Sequence, residues 1–555
     1  MMQKNIGIGD ILIEKKLITK EQLESALAIQ KKNNFSQRIG QICIDEEFIS
    51  ERAFSEILAQ QLDIEFIDLF GVKVDFKLMA KFPINMLKRL QAIPFMEDNE
   101  FIHVSVIDPL NYESLELLEK SIITKPLKLY ISLSQDISHI FERFETLSAT
   151  KTLVDTIKKE MLTNIYQTDN TQSSVMQLIE LIVKSAIKNK ASDIHVEPSA
   201  FHVLVRTRVD GMLRESFVFD IEIYNALASR IKILGSLDIS EKRKSQDGRF
   251  SMQIEENSYD FRLSTAPTLF GESIVMRILD HQKILLKLRD LGMQEEHIVI
   301  FEEILKSPYG ILFITGPTGS GKTTTLYAAL NEIKSITNKM ITIEDPIEYQ
   351  LPLAQQIQIN EKIDYTFADA IRSVLRQDPD IIMIGEVRDI QTLNIAVQAS
   401  LSGHLVFTTL HTNDAPSAIS RMAQMGLEPY LIADSLIGIM AQRLVRRICL
   451  YCKKEFKPTK KMLDKVEKYL PENYKFYKGD GCIHCDFSGY SGRIMINEIL
   501  RVTQTISSLI SSNTNKYEIA KQAHEHEGFE PMLGDGIKKA LDSITTLEEI
   551  LRVTK

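Results

Sequence analysis

What the sequence lacks excludes several classes of protein. Glycine and proline are modest, 24 and 16 of 555 residues, which excludes collagen-like and low-complexity architectures. No uninterrupted apolar run approaches the roughly 20 residues that span a bilayer, and residues 1–7 lack the apolar core of a signal peptide. We therefore expect a cytosolic chain that does not itself cross a membrane. Its length predicts roughly three to five domains.

Basic residues are also fewer than acidic ones. The chain has 66 lysines and arginines against 75 aspartates and glutamates, a net charge of −9. An acidic balance argues against a large nucleic-acid interface, so we expect no nucleic-acid partner.

Cysteine is rare, with five residues in the chain, which is too few for a disulfide scaffold. Four of them form two C-x-x-C pairs, Cys449 with Cys452 and Cys482 with Cys485, separated by 29 residues. This pattern favours a tetrahedral zinc site, in a subdomain of about 446–498, over a redox-active dithiol. Four protein ligands leave no position for catalysis, so the zinc would be structural or would shape a contact surface.

The N-terminal region contains an internal repeat. Residues 7–30 recur 31 positions later as residues 38–61. Thr19 and Gln22 have the spacing of a helix capping box, so we predict two related helical units, with Cys43 as a buried apolar residue in the second. A mixed α/β segment follows, and together they form a predicted first domain over residues 1–148.

The next part of the chain predicts a linker and a second domain. Residues 149–174 are polar and aperiodic, which is typical of a flexible linker. From Val175 to Ile187 the apolar residues keep helical spacing, and residues 203–211 alternate like a strand entering a turn. We therefore predict an α+β domain over residues 175–285.

A phosphate-binding motif follows. The apolar segment 310–315 predicts a buried strand, and it leads through a glycine-rich loop into a helix-forming stretch, as G-x-x-x-x-G-K-[ST] requires. In such a loop backbone N–H groups surround phosphates, Lys322 reaches the β and γ oxygens and the Thr323 hydroxyl ligates Mg²⁺. The residues predicted to bind ATP are Gly316, Pro317, Thr318, Gly319, Ser320, Gly321, Lys322, Thr323 and Thr324.

Polar residues follow or flank three further predicted strands. Glu344 ends the apolar run 340–344, and Glu386 comes just after the run 381–384. Acidic residues at strand ends are often simple caps, but parallel α/β sheets bind ligands at the carboxyl ends of their strands. His404 and His411 flank a third core strand, from where we expect both to sense the γ-phosphate.

Four of these segments resemble motifs of the secretion ATPases, the motors of type II secretion and type IV pilus assembly. The segments correspond to that family's Walker A, Asp box, Walker B and His box and are residues 316–324, 343–349, 376–389 and 403–411. Segments of the second domain are similar to the family's PAS-like domain and are residues 191–198, 206–211, 246–249 and 271–277.

The resemblance implies a multidomain α/β protein: an N-terminal helical-repeat α/β module, a PAS-like domain, and a RecA-like P-loop ATPase core over residues 286–555 that contains the zinc subdomain. It implies a ring-shaped homohexamer in which Glu344 orients the attacking water and Glu386 holds the water shell of the metal. Arginines of the PAS-like domain would close over the nucleotide, although each could instead form a stabilising ion pair. These are Arg206, Arg208, Arg249, Arg262 and Arg277.

The resemblance does not decide which of the two machines, the pilus or the secretion system, this chain would drive. The repeat favours type IV pilus assembly, with type II secretion as the alternative. In either case, an inner-membrane platform protein and a cytoplasmic assembly protein would hold the chain peripherally at the cytoplasmic face of the inner membrane. A DNA-translocating motor is disfavoured by the acidic net charge. A signalling module that binds ATP without hydrolysing it would give Glu344 and Glu386 no catalytic role.

The repeat itself resembles a module that can bind cyclic di-GMP, but the match is partial. Arg38 occupies the arginine position of the second copy, whereas Gly7 stands there in the first. The inner glycine of the motif is replaced by Lys16 and by Glu47. Loss of one arginine and gain of a carboxylate both weaken binding of a dianionic ligand, so docking to a membrane-bound partner is favoured over cyclic di-GMP.

Overall fold

The structure is a computed structural model, and it describes residues 7–33, 37–69, 72, 74–111, 116, 118, 125–162, 173–279, 286–360 and 363–554. The chain forms two compact units, one of residues 1–181 with 482–487 and one of residues 182–481 with 488–555. None of the described helices is long and apolar enough to cross a bilayer.

The predicted repeat folds as two related pairs of helices. They are α1 (Ile8–Glu14), α2 (Lys20–Lys32), α3 (Ile39–Asp45) and α4 (Glu51–Leu62). The Thr19 hydroxyl accepts a hydrogen bond from the Gln22 backbone N–H, and the Gln22 side chain accepts one from the Thr19 N–H, so the predicted capping box is confirmed. Cys43 is fully buried, as expected.

The two copies share close helix packing and an unusual backbone conformation. A Cβ atom on Gly9 would lie 2.8 Å from Leu23, and one on the equivalent Gly40 would lie 2.0 Å from Phe54, the counterpart of Leu23. Both glycines are therefore needed for packing between the helices. At the position where the family motif has its inner glycine, the backbone is left-handed in both copies, with φ of +58° at Lys16 and +56° at Glu47.

The rest of the first unit is mixed α/β, as predicted. Its sheet has the strand order β1-β4-β3-β2. The elements are β1 (Glu65–Phe66), α5 (Phe76–Met79), α6 (Ile84–Leu90), β2 (Ala92–Glu97), β3 (Ile102–Val106), β4 (Leu127–Ile131) and α7 (Ser134–Leu162).

Helix α7 corrects the predicted linker. It continues to Leu162, so the prediction of a flexible linker is wrong for residues 149–162, and residues 163–172 lie outside the described part of the chain. The polar residues that suggested a linker are satisfied within the helix, since the hydroxyls of Thr150 and Thr156 donate to carbonyl oxygens four residues earlier. Ile157 is buried and supplies the packing that a linker would lack.

The predicted second domain is built on a six-stranded antiparallel sheet with the strand order β7-β6-β5-β10-β9-β8. Alternate residues of its strands, such as Ile194, Val205 and Phe261, are buried, as expected for a sheet with one covered face. The elements are α8 (Ser174–Lys188), β5 (Asp193–Pro198), β6 (His202–Val209), β7 (Met212–Asp220), α9 (Tyr224–Leu234), β8 (Gln246–Ile254), β9 (Asn257–Thr268) and β10 (Gly271–Leu279).

The predicted nucleotide-binding core contains a seven-stranded sheet with the strand order β13-β12-β14-β15-β11-β16-β19. All neighbouring strands pair in parallel except β16 and β19. The first elements are α10 (Glu295–Leu305), β11 (Gly310–Thr315), α11 (Lys322–Ile333), β12 (Met340–Glu344), β13 (Ala354–Gln358), α12 (Phe367–Val374), β14 (Ile381–Ile384), α13 (Ile390–Leu401) and β15 (Leu405–Leu410). Because six of the seven strands run in parallel, their carboxyl ends share one edge of the sheet, which is where α/β sheets bind ligands.

The remaining elements complete this unit. They are α14 (Ala415–Gln424), α15 (Pro429–Ser435), β16 (Leu436–Ile448), β17 (Lys453–Phe456), α16 (Lys460–Leu463), β18 (Phe476–Gly479), β19 (Tyr490–Arg501), α17 (Gln504–Ser511), α18 (Lys516–His526), α19 (Met532–Leu541) and α20 (Leu547–Val553). Strands β16 and β19 belong to the main sheet, so the insertion between them is residues 449–489, narrower than the predicted 446–498.

Candidate functional site

The phosphate-binding motif has the predicted strand, loop and helix geometry. Strand β11 is buried throughout, and helix α11 begins at Lys322. In the loop between them the backbone is left-handed at Gly319, with φ of +79°, and at Gly321, with φ of +90°. A Cβ on Gly316 would lie 2.5 Å from the backbone oxygen of Gln442. Glycine is therefore required for both the curvature and the packing of the loop.

Lys322 points back over the loop. Its Nζ donates to the carbonyl oxygen of Gly316 at 2.9 Å and to that of Pro317 at 3.3 Å. Burial lowers the pKa of Lys322, and the negative charge of Glu386 opposes that shift. Thr323 and Thr324, in the first turn of the helix, are exposed at its positive end. The cation, the hydroxyls and the helix end together fit a phosphate group and its metal ion.

Gln442 supports the loop and was missed in the sequence. It lies on β16, is 1% exposed, and its Nε2 donates to the carbonyl oxygen of Ser320 at 2.8 Å. Gln442 is 122 positions away in the chain, and no motif in the sequence indicates this contact.

Glu386 and His411 meet at the same edge of the sheet. Glu386 follows β14, His411 follows β15, and these two strands are parallel neighbours. The His411 Nε2 lies 3.4 Å from a Glu386 carboxylate oxygen, and Arg388 forms an ion pair with the other oxygen. Two of the predicted residues, Glu386 and His411, are thus brought together, and the negative charge of Glu386 opposes the lowering of the Lys322 pKa.

Glu344 lies at the carboxyl end of β12, as predicted, but in a closed environment. Its side chain is buried and accepts hydrogen bonds from Tyr327, Thr342 and Gln356. The sequence indicated the strand end but none of these contacts.

The prediction for His404 requires a correction. It comes before β15 begins, whereas the phosphate-binding loop follows the end of the parallel neighbour β11, where Thr315 pairs with Leu410. Its Nδ1 lies 2.9 Å from the carbonyl oxygen of Ala399, at the end of helix α13. His404 is therefore at the opposite edge of the sheet, about 20 Å away for a six-residue strand, and is not part of the site.

The five predicted arginines share one face of the antiparallel sheet. Four of them stand in a single row across neighbouring strands, because the residues pair in register from strand to strand. The order of that row is Arg249, Arg262, Arg277, Asp193 and Arg208. Arg206 lies two positions before Arg208 and hence on the same face. The fold thus concentrates positive charge that the sequence disperses over 72 residues.

Most of these arginines also form ion pairs, the alternative that the sequence left open. Both Arg277 and Arg208 pair with the buried Asp193, at 2.9 and 3.5 Å. Burial alone would raise the pKa of Asp193, but hydrogen bonds, above all from Arg277, outweigh it and lower that pKa. Arg206 forms two hydrogen bonds with the carboxylate of Glu197.

Arg262 and Arg249 differ in their contacts. Arg262 donates to the Glu348 carboxylate at 2.9 Å and to the Ile347 carbonyl oxygen at 3.0 Å, in the segment that follows Glu344. Arg249 is exposed, and within the described ranges it makes no ion pair. It is therefore the most available of the five for an anionic group.

The four paired cysteines come together as predicted. The sulfur atoms of Cys449, Cys452, Cys482 and Cys485 all lie within 4.8 Å of one another, and three of the four residues are buried. Four thiolates around a zinc ion, each about 2.3 Å from it, require a cluster of this size. The donor set is compatible with zinc.

Comparisons with known proteins identify the family of this chain. A buried parallel sheet with a glycine-rich phosphate loop and acidic strand ends defines a P-loop nucleotide hydrolase. Residues 168–552 match the family described as Type II/IV secretion system protein, and residues 62–150 match the MshEN domain. The chain belongs to the Type II/IV secretion system protein family.

Relatives of two kinds are similar to this chain. The type IV pilus assembly ATPase PilB of Myxococcus xanthus is 36% identical over 561 residues, covering 98% of each chain. The type II secretion system protein HxcR of Pseudomonas aeruginosa is 46% identical over 381 residues, 69% of this chain and 77% of its own. The type II secretion system ATPase E of Vibrio cholerae is 38% identical over 491 residues, 86% and 97% of the two chains.

The fold is also found in a solved structure. The ATPase DotB of Yersinia pseudotuberculosis superimposes with a TM-score of 0.53 at 23% identity, over 68% of this chain and 93% of its own.

Proposed function

We propose that this protein is a homohexameric ATPase that drives assembly of a type IV pilus from the cytoplasmic face of the inner membrane. ATP hydrolysis follows from membership of the family. The pilus assignment depends on one observation, the similarity to a pilus assembly ATPase over 98% of both chains, N-terminal module included. Type II secretion is the second candidate, because the secretion relative HxcR has higher identity, 46%, over a shorter alignment.

In this proposal the P-loop binds the phosphates of the nucleotide. Backbone N–H groups of residues 316–324 and the Lys322 ammonium would hold the phosphates, and the Thr323 hydroxyl would ligate Mg²⁺. The magnesium ion supplies charge neutralisation on the phosphates when it is bound. Glu386 would accept hydrogen bonds from the water shell of the ion, and His411 would respond to the γ-phosphate; the 3.4 Å between His411 Nε2 and a Glu386 carboxylate oxygen supports this role.

Glu344 and the arginines complete the site. Glu344 would orient the attacking water, and the arginine row would stabilise the negative charge of the transition state. Support comes from the exposure of Arg249 and Arg277 on one face of the sheet, in a domain that we propose is PAS-like. In a ring, that face would meet nucleotide bound by the same or by a neighbouring subunit.

The cysteine cluster and the N-terminal module would act outside catalysis. Cys449, Cys452, Cys482 and Cys485 would bind a structural zinc ion. The N-terminal module would dock on an inner-membrane platform protein and a cytoplasmic assembly protein, which hold the chain at the membrane. Docking is favoured over cyclic di-GMP binding because Arg38, the surviving motif arginine, pairs with Asp108 at 2.6 Å.

Two experiments test the proposal. Purified full-length protein is expected to release phosphate from ATP without stimulation by DNA, and Lys322→Ala and Glu386→Ala are expected to abolish turnover while circular dichroism stays unchanged. Near-native rates in either variant would contradict the site assignment. In the native host, deletion of the gene is expected to remove surface pili; loss of exported enzymes with intact pili would favour type II secretion instead.

A further inference from the structure

The strand that carries Gln442 runs past the phosphate-binding loop. Strand β11 ends at Thr315, which pairs with Ala441 of its parallel neighbour β16, and β16 continues beyond that pair. Gln442 is therefore the first residue of β16 past the end of β11, beside the start of the loop. A Cβ on Gly316 would lie 2.5 Å from the backbone oxygen of Gln442, and a Cβ on Gly321 would lie 3.2 Å from its Nε2. Both ends of the loop thus pack against this one residue.

The Gln442 side chain is hydrogen-bonded to the loop. Its Nε2 donates to the carbonyl oxygen of Ser320 at 2.8 Å. Gln442 is 1% exposed and pairs across the sheet with the fully buried Asn497, so bulk water does not compete for this contact. A reversed amide would set its oxygen against the Ser320 carbonyl oxygen, and two acceptors do not bond. The contact therefore fixes the orientation of the amide.

This hydrogen bond also sets the direction of the peptide group between Ser320 and Gly321. A trans peptide is planar, with its C=O and its N–H on opposite sides. Holding the Ser320 carbonyl oxygen towards Gln442 therefore turns the Gly321 N–H away from Gln442. Gly321, with φ of +90°, has no Cβ to restrict its backbone, so the loop by itself does not select one peptide orientation. A donor outside the loop is needed for that selection.

We propose that Gln442 is a positioning residue that holds the Ser320–Gly321 peptide with its N–H, and not its carbonyl oxygen, available to the phosphates of the nucleotide. This inference rests on the proposed binding of ATP by the loop. A reversed peptide would set a carbonyl oxygen against an anion and remove one N–H donor from it. Gln442 acts through the loop and does not touch phosphate itself. Because the loop surrounds the α- and β-phosphates, ADP and ATP are both affected.

Binding of ADP in the presence of Mg²⁺ tests the proposal without the chemical step. Isothermal titration calorimetry of the full-length protein gives the Kd for ADP of wild type and of Gln442→Met, which keeps the length of the side chain and removes the donor. We expect Kd to rise about five- to tenfold, the effect of one lost hydrogen bond.

Gln442→Glu adds a readout that a space-filling role would not change. Its protonated acid donates to the Ser320 carbonyl oxygen, whereas the ionised carboxylate repels that oxygen, and burial favours the protonated form at low pH. We expect the ratio of its Kd for ADP to that of wild type to be about threefold or less at about pH 6 and above about tenfold at about pH 9. Gln442→Met does not titrate and should give the same ratio at both pH values.

Matched controls and a reference variant separate the outcomes. Gln355→Met and Gln355→Glu make the same changes at an exposed glutamine on a strand, and we expect wild-type Kd from both at either pH. Lys322→Ala serves as the reference and is expected to lose ADP binding. If Lys322→Ala binds ADP like wild type, the phosphate-loop assignment in the proposed function fails.

If Lys322→Ala loses binding while Gln442→Met keeps Kd within about twofold of wild type, the positioning proposal is overturned and the proposed function stands. A Kd ratio for Gln442→Glu that is the same at both pH values would also overturn it, since a donor that titrates would then have no effect on the loop. Should Gln442→Met fail to fold by circular dichroism, Gln442→Glu decides alone, because its response to pH is measured within one protein.

Discussion

A buried carboxylate in the core sheet predicts an unusual dependence of stability on pH. Glu498, on β19, is 4% exposed and accepts hydrogen bonds from the backbone N–H groups of Ala415 at 2.7 Å and Met532 at 2.8 Å. These residues begin helices α14 and α19. Burial, opposed by the two hydrogen bonds, raises the pKa of Glu498 from 4.5 to about 7. The folded protein therefore favours the neutral, protonated form of the Glu498 side chain more than the unfolded chain does.

The sign and size of the effect follow from linkage. Because the folded pKa lies above the unfolded one, the contribution to stability is fully present below about pH 4.5 and is lost as pH rises through about 7. A pKa shift of this size contributes about 3 kcal/mol to the free energy of unfolding, and most of that contribution is lost between pH 5 and pH 8. The Glu498→Gln side chain does not titrate. Because its amide offers one carbonyl oxygen to two backbone donors, the substitution lowers the free energy of unfolding by about 1 kcal/mol at any pH.

We therefore expect the stability curves of the two proteins to cross. Urea unfolding followed by circular dichroism should show Glu498→Gln about 1 kcal/mol less stable than wild type at pH 4, about equal to it near pH 5 and about 2 kcal/mol more stable at pH 8. The exposed Glu428→Gln is the matched control and should leave the pH dependence unchanged. A constant difference between Glu498→Gln and wild type across this range would refute the reasoning.

Three further predictions concern the site and the metal. His411→Ala should lower kcat for ATP because it removes a neighbour of Glu386, whereas His404→Ala, at the opposite edge of the sheet, should keep the wild-type rate; equal losses would contradict the placement of His404. Glu348→Gln breaks the ion pair of Arg262 and should lower KM for ATP if that arginine is freed to meet phosphate; an unchanged KM would show that the ion pair does not compete with nucleotide. Cys452→Ser should reduce the zinc content, measured by mass spectrometry of purified protein, from about one per chain to near zero; wild-type protein without zinc would exclude the metal site.

The local sequence pattern was enough to predict a feature wherever that feature depends on residues that are close together in the chain. The capping box at Thr19 and the phosphate loop at Lys322 were predictable because their contacts join residues within a few positions of each other. The linker prediction failed over residues 149–162 because a polar composition was interpreted without the hydroxyl-to-backbone bonds that a helix supplies.

Strand direction explains the different outcomes for the two histidines. Both flank β15, and the sequence treats them alike. In a parallel sheet only the carboxyl end of each strand reaches the site, so His411 meets Glu386 and His404 caps a helix at the other edge.

The sequence by itself determined that this protein has a P-loop, two cysteine pairs and a repeated N-terminal module, because each is encoded in short spacings. Only the tertiary structure decided which distant side chains meet: the row from Arg249 to Arg208, the support of the loop by Gln442, and the enclosure of Glu344 by Tyr327 and Gln356. These contacts depend on strand register and helix packing, which bring together residues up to 122 positions apart and leave no periodic signal in the chain.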